Sequence, residues 1–151
     1  MIVVDTNVVS ELMRPRPSPV VVDWVDSQPA DKLYTTAVTV AEIRYGIERL
    51  PEGERRDLLA ATLADVFTTF AERVLPFDLR AAARYGTIVA VRERAGAPIT
   101  GFDAQIAAIC QAHEATLATR NGKDFDATGV AVVDPWQATP PPSGRTDHPP
   151  G

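Results

Sequence analysis

The chain is poor in cysteine and histidine: Cys110 is its one thiol, and His113 and His148 are its two imidazoles. A single cysteine excludes an intramolecular disulfide framework, and this set cannot build a Cys-based zinc site. Long apolar runs are also missing, none approaching the roughly 18–20 residues of a membrane span. The N-terminus, Met1-Ile2-Val3-Val4-Asp5, carries no basic leader. A cytoplasmic protein without membrane association is the expectation. Lysine is scarce as well: Lys32 and Lys123 are the only two. With 15 Lys and Arg against 20 Asp and Glu, the formal net charge is −5. That balance excludes bulk electrostatic binding of nucleic acid. An anionic substrate would need a local basic patch or a bridging metal ion.

What is present suffices for a globular domain. With 151 residues, 45% of them hydrophobic and 23% charged, the chain can bury a core without staples. Ile2-Val3-Val4 reads as a buried strand leaving into a helix over Val8 to Met13, with Thr6 or Asn7 as N-cap. Ser18-Pro19 opens a helix from Val20 to Ser27. A strand over Leu33 to Val38 follows, and then a helix capped by Thr39 and running through Leu50. Glu54 to Phe70 is amphipathic, with Leu58, Leu59, Leu63, Val66, Phe67 and Phe70 at helical spacing. A brief strand, Arg73 to Phe77, precedes a helix capped by Asp78 and closed near Gly96. A helix from Phe102 or Asp103 to His113 faces Ile106, Ile109 and Cys110 inward. Thr116 to Thr119 and Val130 to Val133 are the last strands.

Strands alternating with helices imply a parallel sheet covered by helices, an α/β sandwich. From Gln137 to Gly151 the chain is Pro-rich and is expected to form a mobile tail, leaving residues 1–136 as the domain.

In an open parallel sheet, ligands bind beyond the carboxyl ends of the strands. Asp5 lies directly after the first strand. Glu42 lies in the first turn of the helix after the second, Asp103 opens the helix before the fourth, and Asn121 and Asp124 follow the fourth. Each has a plain alternative. Asp5 can cap a turn, Thr39 and Glu42 fit a capping box, Asp103 suits a helix dipole, and Asp124 and Asp126 can be ordinary loop residues. Capping accounts for any one acid but not for four at strand ends beside Thr6 and Asn7. Converging carboxylates without histidine or cysteine form a hard-oxygen site that favours Mg²⁺ or Mn²⁺. Such an ion relieves the mutual repulsion, polarises a phosphoryl group and activates water.

The segments Met1-Ile2-Val3-Val4-Asp5-Thr6-Asn7, Thr39-Val40-Ala41-Glu42, Gly101-Phe102-Asp103 and Thr119-Arg120-Asn121 with Asp124-Phe125 resemble those of the PIN-domain ribonucleases. The resemblance is closest to VapC toxins of VapBC toxin–antitoxin modules, in the FitB-like branch, and spans roughly residues 1 to 136. It implies a three-layer α/β/α sandwich with a five-stranded parallel sheet, a homodimer, and Mg²⁺- or Mn²⁺-dependent cleavage of RNA. It also implies a VapB/FitA-like antitoxin joined to the toxin in a hetero-oligomer. Residue by residue, Asp5, Glu42 and Asp103 match the three core acids. Many PIN domains carry an acid where this chain has Asn121; Asp124 would then supply the fourth charge, with Asp126 as the alternate. Thr6 matches the hydroxyl residue near the metal, Asn7 buttresses the loop, and Asn121 is placed to orient a ligand or water.

Arg14, Arg16, Arg44, Arg120 and Lys123 are candidate contacts for RNA phosphates, the alternative for each being solvated surface charge. Trp24 and Trp136 read as core or interface anchors. The antitoxin is expected on the early helices, with Leu12 and Trp24 as anchors and an arginine delivered to the acids. The faces of Glu54 to Phe70 and of the helix after Asp78 are expected to form the dimer. Two other classes share an acid after the first strand. A haloacid-dehalogenase-like phosphatase wants a second Asp where Asn7 stands. A receiver-like signalling domain pairs its acids beside the first strand. A degenerate, binding-only PIN domain would lack core acids that this chain retains.

Overall fold

The computed structural model describes residues 1–138. Five strands, β1 (Ile2–Val4), β2 (Leu33–Thr36), β3 (Val74–Leu75), β4 (Thr116–Ala118) and β5 (Val132–Val133), form one sheet in the order β3-β2-β1-β4-β5. Every pairing is parallel, with Ile2 opposite Leu33 on one side and Thr116 on the other. Six helices cover the sheet: α1 (Thr6–Leu12), α2 (Pro19–Ser27), α3 (Ala37–Glu48), α4 (Glu54–Phe70), α5 (Leu79–Arg94) and α6 (Gly101–Ala112). The expected α/β/α sandwich with a five-stranded parallel sheet is the observed architecture.

Alternation along the strands makes two cores. Val3 and Leu117 point to one face and pack with Ala81 and Ile88 of α5 and with Ile106, Ile109 and Cys110 of α6. Val4 and Ala118 point to the other and pack with Val8, Val21, Ile43, Leu63 and Phe70 from α1 to α4. Each Val, Leu, Ile or Phe among them, taken out of water, contributes about 1.5–3 kcal/mol. Cys110 is fully buried, and burial pushes its thiol up to about 12, so it serves as a small core residue. Trp24 and Trp136 are partly buried against the second core.

Several expected boundaries move. The N-cap of α1 is Asp5, not Thr6 or Asn7: its Oδ1 accepts from the Thr6 amide at 2.8 Å. The N-cap of α3 is Thr36, not Thr39, because β2 turns into the helix three residues earlier than its apolar pattern suggests. Thr36 Oγ1 accepts from the Thr39 amide at 3.1 Å, so the Thr39–Glu42 capping box does not form. α4 has the expected ends, but Leu58 is 65% exposed and lies off the core face. Asp78 caps α5 through the Ala81 amide. Gly96, at φ +72°, follows that helix in the left-handed region that glycine adopts without strain. Gln137 closes a short 3₁₀ turn, Pro135–Gln137. The remainder of the Pro-rich tail, from residue 139, lies outside the described residues.

Candidate active site

The strand order reverses at β1, whose two neighbours β2 and β4 come from different halves of the chain. A crevice opens at such a point beyond the carboxyl ends of the strands. Here it is a cleft of about 530 Å³ lined by Asp5, Thr6, Asn7, Ser10, Glu11, Arg14, Glu42, Asp103, Arg120, Asn121 and Trp136.

Asp5, at the end of β1, is 4% exposed. Its Oδ1 is held by the Thr6 amide and its Oδ2 by the Thr119 hydroxyl at 2.7 Å. Glu42 projects from the second turn of α3, where it caps nothing. A run of hydroxyls, Thr36 to Thr39 at 3.3 Å and Thr39 to Thr6 at 3.2 Å, ends with the Thr6 hydroxyl donating to Glu42 Oε1 at 3.0 Å. Asp103 sits in the first turn of α6, its amide bonded to the capping hydroxyl of Thr100. Burial raises the pKa of Asp5, of Glu42 and of Asp103. Neighbouring carboxylate charge adds to each, and Asp124 contributes to both Asp5 and Asp103.

Asp124 itself is exposed, in the 3₁₀ turn Gly122–Phe125 after β4. It stands outside the cleft wall but within electrostatic reach of the wall's acids. Asp126 closes that turn and exerts no comparable influence on them. Asn121 lines the cleft and donates its amide to Thr119 Oγ1. Asn7 donates to Thr119 Oγ1 at 3.0 Å and accepts from the Arg120 amide at 3.3 Å. It ties α1 to the end of β4, a buttress and not the second acid of a phosphatase.

Of the five candidate cations, Arg14 and Arg120 line the cleft. Arg14 pairs with Glu11 at 3.2 Å, and the Arg120 guanidinium lies 5.0 Å from the centre of the Trp136 ring. Arg16, Arg44 and Lys123 are exposed and do not line it.

Sequence reasoning places Thr119 at a strand end and within the last motif but gives it no role in the site. Its hydroxyl joins Asp5, Asn7 and the Asn121 amide. It also missed Glu11, whose buried carboxylate accepts from the Ser18 amide at 2.9 Å. That bond, with help from Arg14, holds its pKa below the usual value. No spacing rule marks either residue.

The donor set fits a small, hard divalent cation. Its acids are Asp and Glu side chains whose unaccompanied charge burial disfavours, and among the described residues no thiol or imidazole lines the cleft. Among the described residues, no three such groups stand close enough to chelate an ion unaided. A cation of this type usually keeps several waters and takes only one or two protein carboxylates directly.

The fold and cleft thus define an α/β/α domain with an acidic crevice, lined by no histidine among the described residues, at the switch point of its sheet. A family model described as the PIN domain matches residues 2–131. The chain is 41% identical over 138 residues to VapC ribonuclease Y4jK of Sinorhizobium fredii, covering 91% of this chain and 99% of the relative. It is 42% identical over 137 residues to Toxin FitB of Neisseria gonorrhoeae, covering 90% and 99%. The crystal structure of FitAcB from Neisseria gonorrhoeae superposes with a TM-score of 0.84 at 41% identity, over 91% of this chain and all of that one. The chain belongs to the PIN-domain family, in its VapC/FitB branch.

Proposed function

We propose that this chain is a Mg²⁺- or Mn²⁺-dependent endoribonuclease and the toxin of a toxin–antitoxin module. The observation that carries the reading is the meeting of Asp5, Glu42 and Asp103 in one cleft, with Asp124 at its edge. Relatives named ribonuclease and toxin supply the chemical class.

Asp5, Glu42 and Asp103 would hold the ion, directly or through its waters, and Asp124 would complete the negative rim. Bound there, the ion supplies a Lewis acid for the phosphoryl group and lowers the pKa of water. The chain's own residues prepare that site. Thr119 and the Thr6 amide fix both oxygens of Asp5, so its carboxylate is oriented before substrate arrives. Thr6 does the same for one oxygen of Glu42. Arg14 and Arg120, at the cleft wall, draw the phosphates of an RNA strand to an otherwise acidic protein.

Control by an antitoxin has a surface to work on. An apolar groove of about 680 Å³ adjoins the cleft and shares Thr6, Ser10, Arg14 and Glu42 with it. Its floor is Met13, Ile43, Ile47, Leu50, Leu58 and Leu59, from α1, α3 and α4. Leu12 and Trp24, the anchors expected from the sequence, are partly buried against the second core and do not line this groove. A peptide laid in the groove would present a guanidinium to Glu42. A homodimer would use exposed apolar residues of the two helices expected for it, Leu58 of α4 and Leu79 and Val91 of α5.

The test is replacement of the acids. Asp5→Asn, Glu42→Gln and Asp103→Asn should each abolish RNA cleavage and host toxicity while keeping the circular dichroism of the parent. Full cleavage by any two of them would overturn the reading.

A further inference from the structure

Arg92, near the end of α5, is 7% exposed. Among the described residues its guanidinium makes no ion pair with a carboxylate. A buried cation without such a partner is costly unless its N–H groups find other acceptors. Those acceptors are main-chain carbonyls from two segments. Nε donates to Ala97 O at 2.6 Å, in the loop leading to α6. Nη1 donates to Asp124 O and to Asp126 O, each at 2.8 Å. The second pair brackets the turn that carries Asp124, whose side chain is otherwise free in solvent. The first anchors the approach to Thr100 and Asp103. A hydrophobic side chain would fill the same space in the α5 face without a buried charge. What arginine adds is a planar fork that reaches both segments at once.

We propose that Arg92 is the positioning residue of the acidic cleft, clamping the Asp124 turn to the loop before Asp103 so that both acids are held at the rim. The assignment rests on the metal-dependent nuclease reading for its consequence in catalysis, but not for the clamp itself. Lysine in its place keeps a charge but loses the fork. The carbonyls of Asp124 and Asp126 then cannot both be held together with that of Ala97, and the turn loosens.

Two measurements on the full-length protein test this. Hydrogen exchange of Arg92→Lys should quicken at residues 121–128 and 96–100 while the amides of β1 and β4 keep the parent rate. Mn²⁺ alone, titrated by calorimetry, should bind about tenfold more weakly to Arg92→Lys, the scale of a lost outer-shell contact. In an Asp124→Asn background the same substitution should cost clearly less Mn²⁺ affinity, because only the path through the loop before Asp103 remains. Arg92→Met, if it folds, should follow Arg92→Lys. Unchanged exchange at 121–128, or an equal loss of affinity in both backgrounds, would overturn the proposal. If the parent bound no Mn²⁺, the nuclease reading would fail, and the exchange rates alone would still decide the clamp.

Discussion

The hydroxyl of Thr119 donates to Oδ2 of Asp5 at 2.7 Å, joining residues 114 apart in sequence across the switch point of the sheet. Both residues are buried. The same oxygen of Thr119 receives the Asn7 side chain and the Asn121 amide, so one hydroxyl ties together β1, α1 and the end of β4.

Thr119→Val should therefore lower stability by about 1–3 kcal/mol, the cost of leaving buried polar groups unpaired. It should also reduce RNA cleavage more than stability explains at a temperature where both proteins are folded. Thr119→Ser should restore both. Urea titration and cleavage rates check this; a valine variant equal to the parent in stability would contradict it.

At α3 the capping and site roles fall on different residues. Thr36→Ala removes a true N-cap and should cost about 1 kcal/mol while leaving metal affinity near that of the parent. Glu42→Gln should do the reverse, with a metal-free melting temperature at or above that of the parent near neutral pH and no cleavage. A large loss of stability in Glu42→Gln with activity retained would return the capping role to Glu42.

The acids of the cleft set a pH dependence. Asp5, Glu42 and Asp103 have folded-state pKa values raised by burial above the ordinary 3.8 and 4.5. The folded protein therefore binds their protons more tightly than the unfolded chain does. The stability this contributes is complete below the ordinary carboxylate range and is lost as pH rises through the raised values. In EDTA, the melting temperature of the parent should fall relative to that of Asp103→Asn as pH climbs from about 4 toward neutrality. Mn²⁺ should reverse the difference, most strongly at the upper end. Parallel, metal-insensitive curves for the two proteins would contradict this.

The sequence was most legible where one periodicity dominated. The ends of α4, the Asp78 cap and the inward face of α6 all follow from apolar spacing and capping residues. The strand ends were less legible, because Thr36 and Thr39 are equally good caps on paper and only the end of β2 chooses between them. Asp5 was read as a site acid and Thr6 or Asn7 as the cap, whereas one carboxylate does the capping and faces the cleft. The acids were visible because several bland readings had to hold at once. Arg92 was not, since a buried arginine that serves carbonyls looks like any other charge in the last turns of a helix. The groove proposed for the antitoxin was not legible either, because it is a product of how α1, α3 and α4 meet.

The most direct measurement is cleavage of RNA by metal-stripped parent protein, with the end groups of the products identified. Added Mg²⁺ or Mn²⁺ should restore cleavage, Asp5→Asn should stay inactive under the same conditions, and the products should carry 5′-phosphate and 3′-hydroxyl ends. Undiminished cleavage in excess EDTA, or products ending in a 2′,3′-cyclic phosphate, would contradict the account.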